Sequence, residues 1–448
     1  MSTGREAGRS LPTGKLLSVL GVGFGLAVTV GNTIAAGILR TPGEIAAQLP
    51  NIWLYLLVWV LGGAYALLGA ISVAELGTMI PRSGGQYVFA RRALGDYAGF
   101  IVGWSDWIST SGTAALVSLV IAEYSAQLLP ALEGRNVAVA SGVVIFFAVL
   151  QWRGVRWGSR TQEITAFAKA LAFVLLVAGC FLFGRRLEGA AAETALPGGA
   201  ALLVAFVIAM QSAIYTYDGW TGPIYFSQEV RNPARDIPRG LYGGVLFVMG
   251  IYLLWNVGLV YVLPIDQIAG NAFAPGVAAR TLFGEAGETI LLAAMVLSLL
   301  SGINAYHLMS SRVIFAMAQD RLFTHHAARV NAGGTPTGAL AASAGIALIF
   351  IWSGTVQQVI AVLAFFFVAQ QAVSFLSVFV LRRREPDTPR PHRAWGYPWT
   401  TGAALLGSVT FLAGAVAGDT RNSVYALLVL AASYPAYSLT KRLAQSST

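Results

Sequence analysis

Two hydrophobic stretches of this 448-residue chain carry residues that interrupt a helix. VTVGNTIAAGILRTPG sets Gly31, Asn32, Thr33, Ala36 and Gly37 inside an aliphatic run, and IYTYDGWTGPIYF sets Asp218, Gly219, Gly222 and Pro223 inside another. A broken helix exposes backbone groups that lipid cannot satisfy, so it is tolerated only around a cavity or a bound polar ligand. A half-helix beginning near Ala36 offers the N–H groups of Ala36, Gly37 and Ile38, with a positive dipole end, to a carboxylate. The halves that precede the breaks offer carbonyls to an ammonium, at Thr33 and Ile34 in one case and at Tyr215, Thr216 and Asp218 in the other. A carboxylate and an ammonium a short distance apart describe an α-amino acid. The competing reading is that Gly31, Gly37 and Gly219 only let helices pack closely. For any one glycine alone that reading is the better one. The pairing of two broken spans, with Asp218 and Pro223 in the second, favours a site at the membrane midplane.

Other polar groups sit where the chain is otherwise apolar. Lys169, in EITAFAKALAFVLL, must either snorkel toward the membrane edge near Glu163 or find partners inside. Asp106, in GWSDWIST, reads equally as a proton-coupling carboxylate or as a hydrogen-bonded structural group. Asn304 and His307, one turn apart, read as interhelical hydrogen-bonding groups, and Glu75 and Glu123 as interfacial ones. His325, His326 and His392 fall in loops and imply no metal site. No nucleophile–base pair or metal-ligand spacing occurs in the spans, which argues against an enzyme and against any cofactor. Charge rings and a filter-like loop are absent too, which argues against a channel.

These residues must be positioned by helices in lipid. The chain is 56% hydrophobic and 11% charged, against about 25% charged for soluble domains. Apolar runs predict an all-α integral membrane protein of about twelve spans, at 17–39, 52–74, 97–122, 137–151, 163–183, 201–226, 241–263, 288–311, 338–353, 359–381, 399–417 and 423–440. The organisation expected is a tail at 1–16, a ten-helix core at 17–381, a linker at 382–398 whose prolines and charges exclude a membrane helix, and two further helices with a tail at 399–448. The interruptions fall in the first and sixth spans, as a repeat of five plus five spans would place them. The polar N-terminus leads into an apolar run too long for a signal-peptide core, so the first span reads as retained.

A sequence pI near 9.8 would point to nucleic acid in a soluble protein. Here the positions of the cations decide otherwise. With cytoplasmic termini, 22 of the 29 Lys and Arg residues fall on the cytoplasmic side and six on the other, the bias expected of a multi-pass protein in a plasma membrane. The partners expected are the bilayer and a small-molecule substrate, not nucleic acid. Cys180 is the single cysteine. It permits no disulfide within the chain, and its place inside the fifth span argues against a disulfide-linked partner.

The motifs carry a family resemblance over residues 20 to 380. GNTIAAGIL is similar to the first-span motif of the amino acid, polyamine and organocation superfamily. AELGTMIPRSGGQYVFARRALG, IYTYDGW followed by EVRNPARDIPRG, and INAYHLMSSRVIFAMAQDRLF resemble successive segments of its L-type amino-acid transporter branch. The resemblance implies a LeuT-type fold of inverted five-helix repeats working by alternating access in a bacterial inner membrane. It implies exchange or proton symport of amino acids, neutral ones favoured, with a cationic amine or polyamine as the alternative. It places the substrate carboxylate at Ala36 and Gly37 and makes Tyr215 an aromatic lid. Lys169 matches a lysine that stands in for sodium in sodium-independent relatives, with expected partners among carbonyls near Ala35 and the hydroxyls of Ser298 or Ser301. Ala35-Ala36-Gly37 replaces the family's Gly-Ser-Gly, which removes a serine contact and bears on substrate identity.

Overall fold

The computed structural model describes residues 15–35, 37–184, 196, 198–354, 356–418 and 420–445. Ala36 lies outside the described residues, as do four of the counted cations, Arg5, Arg9, Arg185 and Arg186. The helices are α1 (Val22–Thr33), α2 (Gly37–Gln48), α3 (Ile52–Met79), α4 (Gln86–Leu94), α5 (Asp96–Leu128), α6 (Asn136–Trp152), α7 (Val155–Phe183) and α8 (Ala200–Tyr217). They continue with α9 (Pro233–Val262), α10 (Ile265–Ile268), α11 (Ala274–Phe283), α12 (Glu285–Gln319), α13 (Thr337–Ser353), α14 (Val356–Arg384), α15 (Trp399–Gly418) and α16 (Thr420–Gln445).

Eight of the described helices are each long and apolar enough to cross a membrane, and the bent pair α1 and α2 makes a ninth span. With α5 and the shorter apolar α6 and α13, the chain has about twelve transmembrane helices. This all-helical architecture follows from lipid as solvent, because a helix pairs its own backbone groups and needs no partner strand. Turn chemistry sets the ends. Asn51 caps α3 by accepting hydrogen bonds from the amides of Trp53 and Leu54 at 3.0 and 3.1 Å, which satisfies two of the donors a helix start leaves unpaired.

α5 and α12 run through the centre and pack along each other, with α1, α7 and α14 around them. The first span lies very close to α9. A Cβ on Gly25 would stand 3.3 Å from the Cα of Gly240, so this crossing is a backbone-to-backbone contact of the kind small residues allow. α15 and α16 flank the bundle through α14, α3 and α5. The chain before α1 pairs with the chain after the sixth span: the Leu20 amide donates to the Glu229 carbonyl and the Arg231 amide to that of Leu20, both at 2.9 Å.

Four sequence expectations change. The connection after the second span contains helix α4. The eighth span runs eight residues beyond its expected end, so Arg312 sits inside α12, fully buried and paired to Glu229 at 2.9 Å, rather than in a loop. Glu75 is not interfacial: it is 1% exposed and accepts hydrogen bonds from Arg382, Arg390 and the Ala394 amide. Finally, α14 extends to Arg384, and the non-helical connection starts at Glu385. For Arg312 and Glu75, a charged residue that reads as a span limit is neutralised by a partner distant in sequence.

Candidate functional site

The first span breaks between Thr33 and Gly37, and the two halves are bent by 49°. The sixth span breaks after Tyr217, turns through residues 218–221, and continues as a short 3-10 helix, Gly222–Phe226. The breaks touch. Gly219 has φ +107°, and a Cβ there would lie 2.9 Å from the carbonyl carbon of Asn32. Glycine is required at that position on both counts, conformation and close approach.

The carbonyls freed by the first break find donors from three helices. Lys169 of α7 is 0% exposed and donates to the carbonyls of Gly31 at 2.8 Å and Ile34 at 2.5 Å. It does not snorkel. Ser298 Oγ donates to the same Ile34 carbonyl at 3.2 Å, which fills both lone pairs of that oxygen. The Tyr252 hydroxyl donates to the Thr33 carbonyl at 2.6 Å and lies 3.3 Å from that of Thr216, so one O–H bridges the two breaks. Ser301 accepts from Gln162 Nε2 at 3.2 Å. The two serines expected as partners of the ammonium thus serve its surroundings instead. A cation at the end of α1 is also favoured by the negative end of the helix dipole.

Between the breaks lies a cavity of about 100 Å³, far below the roughly 300–1,000 Å³ of sites for drug-sized ligands. Asn32, Thr33, Ala35 and Gly37 line it from the first span, and Tyr215, Thr216 and Asp218 from the sixth. α5 contributes Thr113, Leu116, Val117 and Val120, α12 Leu299 and Tyr306, and α14 Phe367. Gly37 is the first residue of α2, whose opening amides have no acceptor in their own helix. Two buried side-chain atoms on this wall, Asn32 Oδ1 and Thr33 Oγ1, have no hydrogen-bond partner among the described residues. Leaving such an atom unpaired costs about 1–3 kcal/mol, so a hydrogen-bonding guest, water or substrate, is favoured against this wall.

Of the residues singled out from the sequence, Thr33, Ala35, Gly37, Tyr215, Thr216 and Asp218 come together here. Ile34 and Ile38 are fully buried behind the wall, the Thr216 hydroxyl is held by Thr41 at 2.7 Å and the Ser212 carbonyl at 2.8 Å, and the Tyr215 carbonyl accepts from the Asp218 amide at 3.1 Å. Asp218 accepts from Gln371 Nε2 of α14 at 2.6 Å. Asp106 stands apart from the cavity wall: it accepts from Tyr225 at 2.9 and 3.0 Å and from Thr110 at 3.1 Å, tying α5 to the 3-10 turn. Asn304 makes interhelical bonds with Gln151, Gln162 and the Gly158 carbonyl. His307 does not, for neither ring nitrogen has a partner among the described residues. Asn32 was visible in the sequence only as part of the break, and the α5, α12 and α14 contributors carried no signal beyond ordinary apolar helix.

A family model for amino acid permeases matches residues 15–433. The chain belongs to the amino acid permease family. The permease is 27% identical over 427 residues to a serine/threonine exchanger of Bacillus subtilis, covering 93% of this chain and 95% of that protein. It is 28% identical over 387 residues to the mouse Asc-type amino acid transporter 1, covering 81% and 70%. It is 27% identical over 404 residues to the human large neutral amino acids transporter small subunit 2, covering 86% and 74%. The permease is therefore a multi-pass membrane transporter of amino acids and not an enzyme.

Gly37→Val tests the cavity wall. A Cβ at Gly37 meets Thr216, its side chain at 3.4 Å and its Cα at 3.6 Å, which are ordinary contacts, so the helix is expected to form. The two methyls would project into a space of about 100 Å³. Uptake should fall at least tenfold at unchanged thermal midpoint, and normal uptake by the variant would remove Gly37 from the site.

Proposed function

We propose that the permease exchanges small neutral L-amino acids across a bacterial inner membrane, by alternating access and independently of sodium. The observation that carries the reading is the cavity between the two breaks, which Gly37, the first residue of α2, lines together with Asn32 and Thr33, whose Oδ1 and Oγ1 atoms have no partner among the described residues. The amides that open α2 suit the substrate carboxylate, and the Thr33, Thr216 and Asp218 region suits its ammonium. Tyr215 serves as the lid. Leu116, Val117, Leu299 and Phe367 leave space for a short side chain, in keeping with the serine/threonine exchanger among the relatives. The Lys169 ammonium occupies the carbonyl cage that a sodium ion would need, which supports sodium independence. The cation bias supports cytoplasmic termini, and the buried Cys180 supports a permease without a disulfide-linked subunit.

A second reading, a cationic amine as substrate, is favoured by Asp218, a carboxylate on the cavity wall with no cationic partner among the described residues. Uptake into proteoliposomes separates the two. Preloaded serine, threonine or alanine should stimulate uptake of the labelled amino acid at least tenfold, with no dependence on sodium, and tryptophan should compete poorly. Competition by an amine that lacks the α-carboxylate would instead establish the second reading. Uptake driven by an inward proton gradient without internal substrate would replace exchange by symport.

A further inference from the structure

Outside the transport site, the most distinctive surface lies between α6 and α13. A groove of about 490 Å³ runs between them, walled by Ile145, Val149, Trp152, Leu340 and Ala344, with Arg153 at its end. Ile145, Val149 and Trp152 are 50%, 57% and 53% exposed, so this wall is turned away from the bundle. Each of the two helices has 17 residues and is about 25 Å long at 1.5 Å per residue. That is less than the roughly 30 Å of a hydrocarbon core. A bilayer meeting this pair must thin locally or draw polar groups inward.

The end of the groove is cationic. Arg153, Arg156, Arg160 and Arg329 are exposed and make no ion pair among the described residues, in contrast to the paired Arg82, Arg91 and Arg92. Glu163, three residues beyond Arg160, is not paired with it. Arg329 belongs to the same surface because the loop that follows it is fastened to the end of α6. Asn331 Nδ2 donates to the Trp152 carbonyl at 2.6 Å, Thr335 Oγ1 to that of Gln151 at 2.8 Å, and the Val155 amide to that of Gly333 at 2.9 Å. Trp152 and Trp157, 53% and 56% exposed, flank the arginines as residues at a headgroup boundary do.

We propose that this groove binds an anionic phospholipid, with an acyl chain along Ile145, Val149 and Leu340 and the phosphate and headgroup on Arg153 and Arg156. Apolar lining with unpaired guanidinium groups at one end matches the two parts of such a lipid, and basic pockets between transmembrane helices on the cytoplasmic side are suited to anionic headgroups. Guanidinium groups also hold phosphate in a bidentate fashion. Unlike the transport reading, this one does not depend on which amino acid is carried.

Native mass spectrometry of the detergent-solubilised permease, titrated with phosphatidylglycerol or phosphatidylcholine, tests the proposal. One retained phosphatidylglycerol is expected, held at least tenfold more tightly than phosphatidylcholine, and Arg153→Gln with Arg156→Gln should remove that preference. Equal retention of the two lipids, or an unchanged preference in the variant, would overturn it. A measurement that needs no arginine variant is fluorescence in vesicles containing brominated lipid. The difference between wild type and Trp152→Phe should be quenched more by brominated phosphatidylglycerol than by brominated phosphatidylcholine at equal mole fraction. Equal quenching, or a Trp152 shielded from both lipids by a second protein chain, would refute the site.

Discussion

Lys169→Ala should reduce exchange by a factor of about 100 or more while leaving the protein in the membrane. The ammonium holds the Gly31 and Ile34 carbonyls at 2.8 and 2.5 Å, and both groups are sealed from water. Without it, two buried carbonyls lose a charged donor, at about 1–3 kcal/mol each. The Ile34 carbonyl keeps only Ser298. The energy is lost where the first span bends, so it falls on the position of Gly37 and Thr33 relative to the cavity. Since about 1.4 kcal/mol corresponds to a factor of ten in rate, a few kcal/mol of misplacement accounts for the expected loss. Counterflow uptake at matched protein content, with the thermal midpoint recorded alongside, is the measurement. Full activity would mean that the α1 terminus is held without Lys169 and that its cage has no part in transport.

Arg312→Leu is expected to give the largest loss of stability. Arg312 Nε and Nη2 donate to the two carboxylate oxygens of Glu229, each at 2.9 Å, and both side chains are 0% exposed. Replacing a buried ion pair by apolar groups can be harmless, but removing one member strands the other charge at a cost of about 3–5 kcal/mol. Here the stranded group would be the Glu229 carboxylate, whose residue also pairs through its backbone with Leu20 ahead of the first span. The loosening would therefore reach both broken spans. In a detergent-stable preparation the midpoint should fall by roughly 5–10 °C. The exchange Glu229→Arg with Arg312→Glu should recover part of it. A single variant that melts with the wild type would show that Glu229 finds water or another donor, and the pair would then have no structural role.

The expectations that survived rest on signals local in the chain. The short fourth and ninth runs, the paired breaks in the first and sixth spans, and the non-helical stretch after the tenth could all be located from hydropathy and from glycine, proline and charge placement. The same local logic failed for Glu75 and Arg312. A charge normally marks where a span leaves the membrane, and nothing near either residue in the sequence announces the Arg382 of α14 and the Arg390 beyond it, or the Glu229, that neutralise them. His307 failed in the other direction, since its place one turn from Asn304 implied a hydrogen bond that no described residue supplies.

The sequence alone determined the membrane class, the number of spans, the charge asymmetry and the two interruptions, because each depends on composition within a window of about 20 residues. It also carried enough ordered motif to point to the family. The tertiary structure alone decided that Asp218 lines the cavity while Asp106 is bound to Tyr225, that Tyr252 bridges the breaks, and that Lys169 donates to the Gly31 and Ile34 carbonyls rather than to a serine hydroxyl. The physical reason is that a helix apolar on every side has no polar face to mark which residues point inward. Only the contact of one helix with another selects the partner of each buried polar group.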